Sequence, residues 1–178
     1  TVSAAGFLPQ TSDEFVVLSP EETRVEDIDL RQGGRIRMRV VDEDSARGIP
    51  RAFAQVVESG DSAHSDNSGN FVLGPLEPGV WTVRVTHPEY LPSERHLIKV
   101  VAGREKNEGK LRMDRGAELN GVIKNARGRA VEGAVIDVRT DDSELRESAI
   151  SDADGKFRFT GLRPGTAIAT ASARVGRS

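Results

Sequence analysis

Residues 65–73 read Ser65-Asp66-Asn67-Ser68-Gly69-Asn70-Phe71-Val72-Leu73, and residues 151–159 read Ser151-Asp152-Ala153-Asp154-Gly155-Lys156-Phe157-Arg158-Phe159. Both stretches combine an Asp-x-x-Gly turn with alternating apolar residues. The aspartate of such a turn accepts hydrogen bonds from its own backbone, and glycine tolerates the positive φ that the turn needs. Alternation with a period of two places one face of a strand in a core and the other in water. Each stretch therefore predicts a tight turn that leads into a β-strand.

The likeness between the two stretches extends over the whole chain. Leu76-Glu77-Pro78-Gly79 matches Leu162-Arg163-Pro164-Gly165, and Ala46-Arg47-Gly48 matches Ala126-Arg127-Gly128. The N-terminal residues match a later part of the chain in three places: Phe7-Leu8-Pro9 with Tyr90-Leu91-Pro92, Phe15-Val16-Val17 with Ile98-Lys99-Val100, and Ile28-Asp29-Leu30 with Leu111-Arg112-Met113. A period of roughly 80 to 86 residues exceeds that of helical solenoids and suits a small β-sandwich.

This register divides the chain into three parts. Residues 1–33 are predicted to be the C-terminal strands of a preceding module, residues 35–114 a complete β-sandwich module, and residues 117–178 the first two-thirds of a following module. We expect an all-β fold of tandem small antiparallel sandwiches, with incomplete modules at both ends. The linkers, Gly33-Gly34 and Arg115-Gly116, leave little room for independent tumbling of the modules.

The linked motifs resemble the carboxypeptidase regulatory-like domain, a transthyretin-like β-sandwich related to the collagen-adhesin B-type modules. The residues that carry the resemblance most fully are Gly121-Val122-Ile123, Ala126-Arg127-Gly128, Val131-Glu132-Gly133-Ala134-Val135, Ser151 to Phe157 and Gly161 to Gly165. Arg51-Ala52 stands where the family usually has Gly-Ala, and Ala167 where it usually has an aromatic residue. The resemblance implies the fold, whereas such modules occur beside peptidases, in outer-membrane receptors and in surface proteins.

Composition excludes several classes of function. The net charge is −3, with 25 Lys and Arg against 28 Asp and Glu, so no basic field for nucleic acid exists. No apolar run is long enough to predict a membrane span. The chain has no cysteine, which removes disulfides, thiolate metal ligands and cysteine nucleophiles. The N-terminal residues do not resemble a signal peptide.

No metal, cofactor or catalytic site is predicted. Asp152 and Asp154 have a metal-like spacing, but Lys156 and Arg158 follow where a calcium loop needs further oxygen ligands. We therefore interpret them as turn residues. The histidines, at positions 64, 87 and 96, match no zinc spacing, and His87 is expected to be exposed. No Gly-x-Ser-x-Gly nucleophile elbow surrounds any serine.

An internal Lys–Asn isopeptide bond, found in the related collagen-adhesin modules, is also rejected. The position of its glutamate corresponds to Val2, Val85 and Ala171, and valine cannot transfer a proton. The first strand carries Arg37 and Arg39 where a lysine would be needed. Lys124 and Asn125 are adjacent in sequence and cannot form the pair.

The expected role is that of a non-enzymatic structural or interaction array: a spacer, stalk or assembly element of a larger bacterial extracytoplasmic protein at the cell surface, secreted or periplasmic. Its partners would be neighbouring modules or other protein subunits, with strand exchange between copies as one possibility. The alternative is a carbohydrate- or protein-binding accessory module, which needs an exposed aromatic cluster or groove. Trp81 is predicted to lie in the core with Ile36, Phe71 and Val83. Tyr90 is predicted to be buried at a corner of the sandwich. For Phe53, the sequence permits both a buried and an exposed side chain.

Overall fold

The computed structural model describes residues 1–17, 27–140 and 146–173. All regular structure there is β-strand, which confirms the all-β prediction. The strands are β1 (Gly34–Asp42), β2 (Phe53–Val56), β3 (Ser62–His64), β4 (Asn70–Leu76), β5 (Gly79–His87), β6 (Tyr90–Val100), β7 (Glu105–Met113), β8 (Ala117–Val122), β9 (Val135–Thr140), β10 (Arg146–Ile150), β11 (Lys156–Leu162) and β12 (Ala167–Ser172).

The chain forms two compact units. The first contains Thr1–Val85 and Ser93–Arg112, and the second contains Thr86–Pro92 and Met113–Ser178. The β5–β6 turn, Thr86–Pro92, therefore belongs to the second unit although it lies inside the module predicted for residues 35–114. The predicted boundaries at residues 1–33, 35–114 and 117–178 follow the sequence repeat. That these three parts fold as separate modules remains a prediction.

The first unit contains two sheets, in which β1 pairs antiparallel with β4 and β2 pairs antiparallel with β3. One has the order β4-β1-β7 and the other the order β3-β2-β5-β6. Alternation along the strands buries one face of each sheet, and the buried side chains include Ile36, Met38, Val40, Phe71, Leu73, Val83, Val85, Ile98, Val100 and Leu111. Burying a large aliphatic side chain is worth about 1.5–3 kcal/mol, so this set is the main source of stability of the unit.

Trp81 departs from its predicted place. It shares the phase of Val83 and Val85 on β5 but is only half-buried, and its Nε1 donates a hydrogen bond to the carbonyl of Glu77 at 3.0 Å. Trp81 lies two residues after Gly79, near the beginning of β5, and the fully buried positions of the strand begin only at Val83. Gly79 begins β5 and has no positive φ, so Pro78-Gly79 does not form a type II turn.

The second unit repeats the first five strands. Its sheets have the orders β11-β8 and β10-β9-β12, matching β4-β1 and β3-β2-β5. The buried core consists of Ala134, Ile136, Val138, Phe159 and Leu162, with Leu119 and Phe157 packed partly buried against it. Gly121 stands where the first unit has Met38, and the ring of Phe157 lies over it, so that a Cβ at Gly121 would come within 2.4 Å of the ring. The ring of Phe157 thus occupies the space that a side chain at position 121 would need.

Candidate interaction surface

The Asp-x-x-Gly turns have the predicted geometry in both units. Gly69 and Gly155 have φ of 84° and 73°. Oδ1 of Asp66 accepts hydrogen bonds from the backbone N–H of Ser68 and of Asn70, both at 2.8 Å. Oδ1 of Asp152 accepts those of Asp154 and Lys156 at 2.9 and 2.8 Å. These carboxylates stabilise the turns in the way that the sequence predicts.

Asp152 and Asp154, which have the spacing of metal ligands, already form hydrogen bonds with neighbouring residues. Besides the two backbone bonds to Asp152, the Nζ of Lys156 lies 2.9 Å from Oδ2 of Asp154. A cation would have to displace an ammonium group, and within the described residues no group of three or more acidic or histidine side chains could hold a metal ion. The interpretation of these residues as turn residues fits this geometry.

A buried serine precedes each turn, and the sequence reasoning missed its role. Oγ of Ser65 accepts the N–H of Ala52 at 2.8 Å and donates to the carbonyl of Ile49 at 2.7 Å. Oγ of Ser151 does the same with Ala134 and Val131, at 3.0 and 2.7 Å. A buried polar backbone group without a partner is costly, so each hydroxyl stabilises the loop that crosses to the second sheet. The signal in the sequence was the serine that directly precedes the turn aspartate in both repeats, Ser65 before Asp66 and Ser151 before Asp152.

The aromatic side chains form no exposed cluster. Tyr90 is buried as predicted, and Phe71 and Phe159 are buried as well. Phe53, left open by the sequence, is half-buried with its ring centroid 5.3 Å from that of His64. Phe15 is the aromatic residue with the largest exposed fraction, 49%. A stacking platform for sugars is therefore not present among the described aromatic rings.

The environment of His87 differs from the predicted exposed turn. His87 is half-buried, and its ring centroid lies 5.2 Å from that of Tyr90. Burial lowers the pKa of His87; the charge of Glu89 opposes this effect and that of Arg115 adds to it. The guanidinium carbon of Arg115 lies 5.2 Å from the centre of the Tyr90 ring, within the range of a cation–π contact. The turn Thr86–Pro92 is thus fixed within the second unit.

The corner around Tyr90 has a counterpart at the N-terminus. In the second unit, the N–H of Leu91 donates to the carbonyl of Asp114 at 2.9 Å, and that of Gly116 to Glu89 at 3.0 Å. In the first unit, the N–H of Leu8 donates to Arg31 at 2.8 Å, and that of Gly33 to Gly6 at 3.0 Å. Each residue in the two hydrogen bonds of the first unit lies 83 positions before its counterpart in the second unit, as Leu8 does before Leu91. The same backbone corner is therefore built twice.

The glycines at these corners are tightly packed. Gly33 is buried, and a Cβ there would lie 2.5 Å from the Cβ of Pro75. At Gly116, a Cβ would lie 2.3 Å from the Cα of Gly161. The hydroxyl of Thr160 donates to the carbonyl of Pro88 at 2.9 Å. The segments predicted to be linkers are therefore packed parts of the two units. The sequence showed only that these segments are short.

Two strands of the second unit have an open edge. Among the described residues, β8 pairs only with β11, whereas its counterpart β1 lies between β4 and β7. Likewise β12 pairs only with β9, whereas its counterpart β5 lies between β2 and β6. All residues of β12 are exposed, although Ala171 pairs with the buried Ile136 and so faces the core. We define the edges of β8 and β12, with the apolar face between them, as the open edge of the second unit.

Comparison with curated proteins gives no match. Among solved structures, a chain of a type II cohesin–X–dockerin complex of Acetivibrio cellulolyticus, a C-terminal interface mutant, is 21% identical over 46% of this chain and 57% of that chain, with a TM-score of 0.40. This chain thus spans less than two-thirds of its length. The shaft pilin SpaA of Lactobacillus rhamnosus GG is 12% identical over 82% of this chain and 89% of that chain, with a TM-score of 0.40. TM-scores at this level support no argument about function.

The family comparison covers most of the chain. The model of the carboxypeptidase regulatory-like domain matches residues 35–113 and again residues 118–177. These two matches coincide with the two repeats that the Asp-x-x-Gly turns define, and they confirm the resemblance found in the sequence. The chain therefore belongs to the carboxypeptidase regulatory-like domain family.

Proposed function

We propose that the chain is a structural and interaction element, in which β-sandwich modules in series act as a spacer, stalk or assembly element of a larger bacterial extracytoplasmic protein. The observation that carries this proposal is the repeated corner. Hydrogen bonds and glycine packing hold the backbone of each corner within its own unit, where a loose linker would have no such contacts.

The state of the polar side chains supports a role without catalysis. The carboxylates of Asp66 and Asp152 are used in turns, and the hydroxyls of Ser65 and Ser151 bridge backbone groups. A catalytic group needs a reacting neighbour and access to substrate. We accordingly propose that the chain is not an enzyme and binds no cofactor.

The proposed location outside the cytoplasm is supported by the family, whose modules occur beside peptidases, in outer-membrane receptors and in surface proteins. Among the described residues, no helix has the length and apolar character needed to cross a membrane. The partners we propose are neighbouring modules and other protein subunits.

Distance measurements between spin labels test the spacer role. The chain lacks cysteine, so a cysteine at Val72 in the first unit and another at Ile150 in the second, both exposed, can be labelled specifically. A spacer role predicts one narrow distance distribution between these two labels. The reference is a pair within the first unit, at Val72 and Val80. A distribution much broader than this reference would contradict the spacer role.

A further inference from the structure

The turn Thr86–Pro92 contains a histidine whose ring takes part in its folded structure. Nδ1 of His87 accepts the backbone N–H of Glu89 at 3.2 Å, so the neutral ring carries its proton on Nε2. The ring is half-buried, and its centroid lies 5.2 Å from that of Tyr90 in an edge-to-face arrangement. The neutral ring therefore has two partners, a backbone N–H and an aromatic ring, where the sequence predicted only an exposed side chain.

The two residues that follow His87 attach the turn to other segments of the second unit. The carbonyl of Pro88 accepts a hydrogen bond from the hydroxyl of Thr160 in β11 at 2.9 Å. The carbonyl of Glu89 accepts one from the backbone N–H of Gly116 at 3.0 Å. Glu89 thus bonds to the histidine ring through its N–H and to the segment after β7 through its carbonyl. A change of the ring acts directly on a residue that holds the turn in place.

Protonation of His87 removes the contact between its ring and the backbone. An imidazolium carries a proton on both ring nitrogens, so Nδ1 no longer has a lone pair that can accept the N–H of Glu89. Two donors would then face each other across the 3.2 Å that now separates a donor from an acceptor. The turn loses a hydrogen bond when the ring becomes charged.

The charges around His87 do not offset this loss. Burial has the largest effect on its pKa and lowers it; Glu89 opposes this effect, and Arg115 adds to it. The guanidinium carbon of Arg115 lies 5.2 Å from the centre of the Tyr90 ring, so a protonated His87 would be a second cation beside that ring. The carboxylate of Glu89 lies 3.9 Å from Arg115 and is exposed, so solvent and the neighbouring cation screen it. Thr160 of β11 brings no charge.

The corner of the first unit is an internal reference without a titratable group. The positions 83 residues before the four side chains around the turn are occupied by Ala4, Gly6, Phe7 and Gln32. The backbone hydrogen bonds of the two corners are nevertheless the same. The backbone corner thus forms without a histidine, and the side chains of the second corner add a group that titrates near neutral pH.

We propose that His87 is a pH-sensitive switch of the second unit: its neutral ring stabilises the turn Thr86–Pro92, and its protonation in mild acid weakens the attachment of the turn. A histidine whose folded pKa lies below its unfolded value of about 6.5 stabilises the fold above that value. This contribution is lost as the pH falls through the folded pKa. The switch goes beyond the spacer role and does not depend on it.

Amide hydrogen exchange at the two corners tests the switch, with each rate corrected for its intrinsic dependence on pH. Between about pH 8 and about pH 5, the protection of the Leu91 and Gly116 amides should fall, by up to about tenfold for each unit by which the folded pKa of His87 lies below 6.5. The protection of Leu8 and Gly33 in the first unit should not change. Constant protection at the second corner, or an equal fall at both corners, would overturn the proposal.

His87→Asn separates the charge of the side chain from its hydrogen bond. The side-chain oxygen of asparagine accepts the backbone N–H two residues further on, which here is that of Glu89, and it does not titrate. We expect the variant to keep the protection of the second corner at neutral pH and to lose the decrease in acid. His96→Asn, at an exposed histidine, is the matched control and should keep the decrease. A decrease that persists in His87→Asn would contradict the switch.

Two further variants test the charges that act on His87. Arg115→Gln removes a cation and should move the midpoint of the His87 ring resonances to higher pH, whereas Glu89→Gln removes an anion and should move it to lower pH. The fall in protection of the Gly116 amide should follow the same midpoints. A role of His87 in packing alone would not produce opposite shifts. A midpoint at or above 6.5 in the unaltered chain, or one that neither variant moves, would refute the proposal.

Discussion

At the scale of single residues, the turn aspartate and the serine before it carry most of the local specificity. Asp66 organises its turn through two backbone N–H groups, and Ser65 bridges Ile49 and Ala52 on the way to the second sheet. Neither contact involves another charged residue. A Ser-Asp pair can therefore recur at each module without depending on surface residues that differ between modules.

The ionisation of Asp66 links its turn to pH. Hydrogen bonds from the backbone and side chain of Asn70, and from the backbone of Ser68, hold the pKa of Asp66 below its ordinary value. A lowered pKa in the folded state stabilises the fold above the unfolded pKa of about 3.9, and this contribution is lost as the pH falls through the folded pKa. We expect Asp66→Asn to destabilise the first unit at neutral pH, with the difference from the unaltered chain disappearing in acid.

Urea unfolding at several pH values measures this difference. Asp44→Asn, at an exposed position of the same unit, is the control for the loss of one negative charge. A difference between Asp66→Asn and the unaltered chain that stays constant down to acidic pH would show that the charged form of Asp66 has no special role.

At the scale of elements, strand alternation predicted burial well on β1, which lies between β4 and β7. On β1, the alternating residues Ile36, Met38 and Val40 are buried and Arg35 and Arg37 are exposed. Near the beginning of β5 the same rule failed for Trp81, which is only half-buried. Alternation predicts which face of the sheet a side chain lies on. How deeply the side chain is buried depends on the residues that pack against that face.

The corners between modules are packed elements, and a glycine substitution tests this. Gly33→Ala would bring a Cβ within 2.5 Å of the Cβ of Pro75. Because backbone must move, we expect a loss of about 1–3 kcal/mol in the free energy of unfolding of the first unit. Chemical denaturation followed by Trp81 fluorescence provides the measurement.

Gly79→Ala is the matched control for this substitution. Its φ is not positive, and a Cβ there would meet the indole of Trp81 at 3.5 Å, an ordinary contact. We expect a neutral or slightly stabilising effect, since alanine restricts the unfolded chain more than glycine does. If both substitutions had the same effect, the corner at Gly33 would not be a special point of packing.

At the scale of the whole molecule, we expect that neither unit needs a metal for its stability. Asp152 and Asp154 are the best candidates for ligands in the sequence, yet their oxygens are occupied by turn N–H groups and by Lys156. We expect thermal melting curves with excess calcium and with a chelator to coincide for both units. An increase of the melting temperature with calcium would refute this, because a ligand that binds the native state must stabilise it.

The sequence by itself determined the local turns, the faces of the strands and the repeat. These properties depend on residues close together in the chain, such as Asp152 with Gly155 or Phe157 with Phe159, and on spacing, which is visible in the letters. The same reasoning named the family, because several short motifs recur in a fixed order in both modules.

The tertiary structure alone decided how completely each face is covered. It assigned Thr86–Pro92 to the second unit, showed the half-burial of Trp81 and His87, and placed the ring of Phe157 over Gly121. It also revealed that Phe15 and Val17 are exposed while Ile98 and Val100, which match them in sequence, are buried. Burial depends on long-range strand pairing, and like residues have unlike surroundings when their neighbouring strands differ.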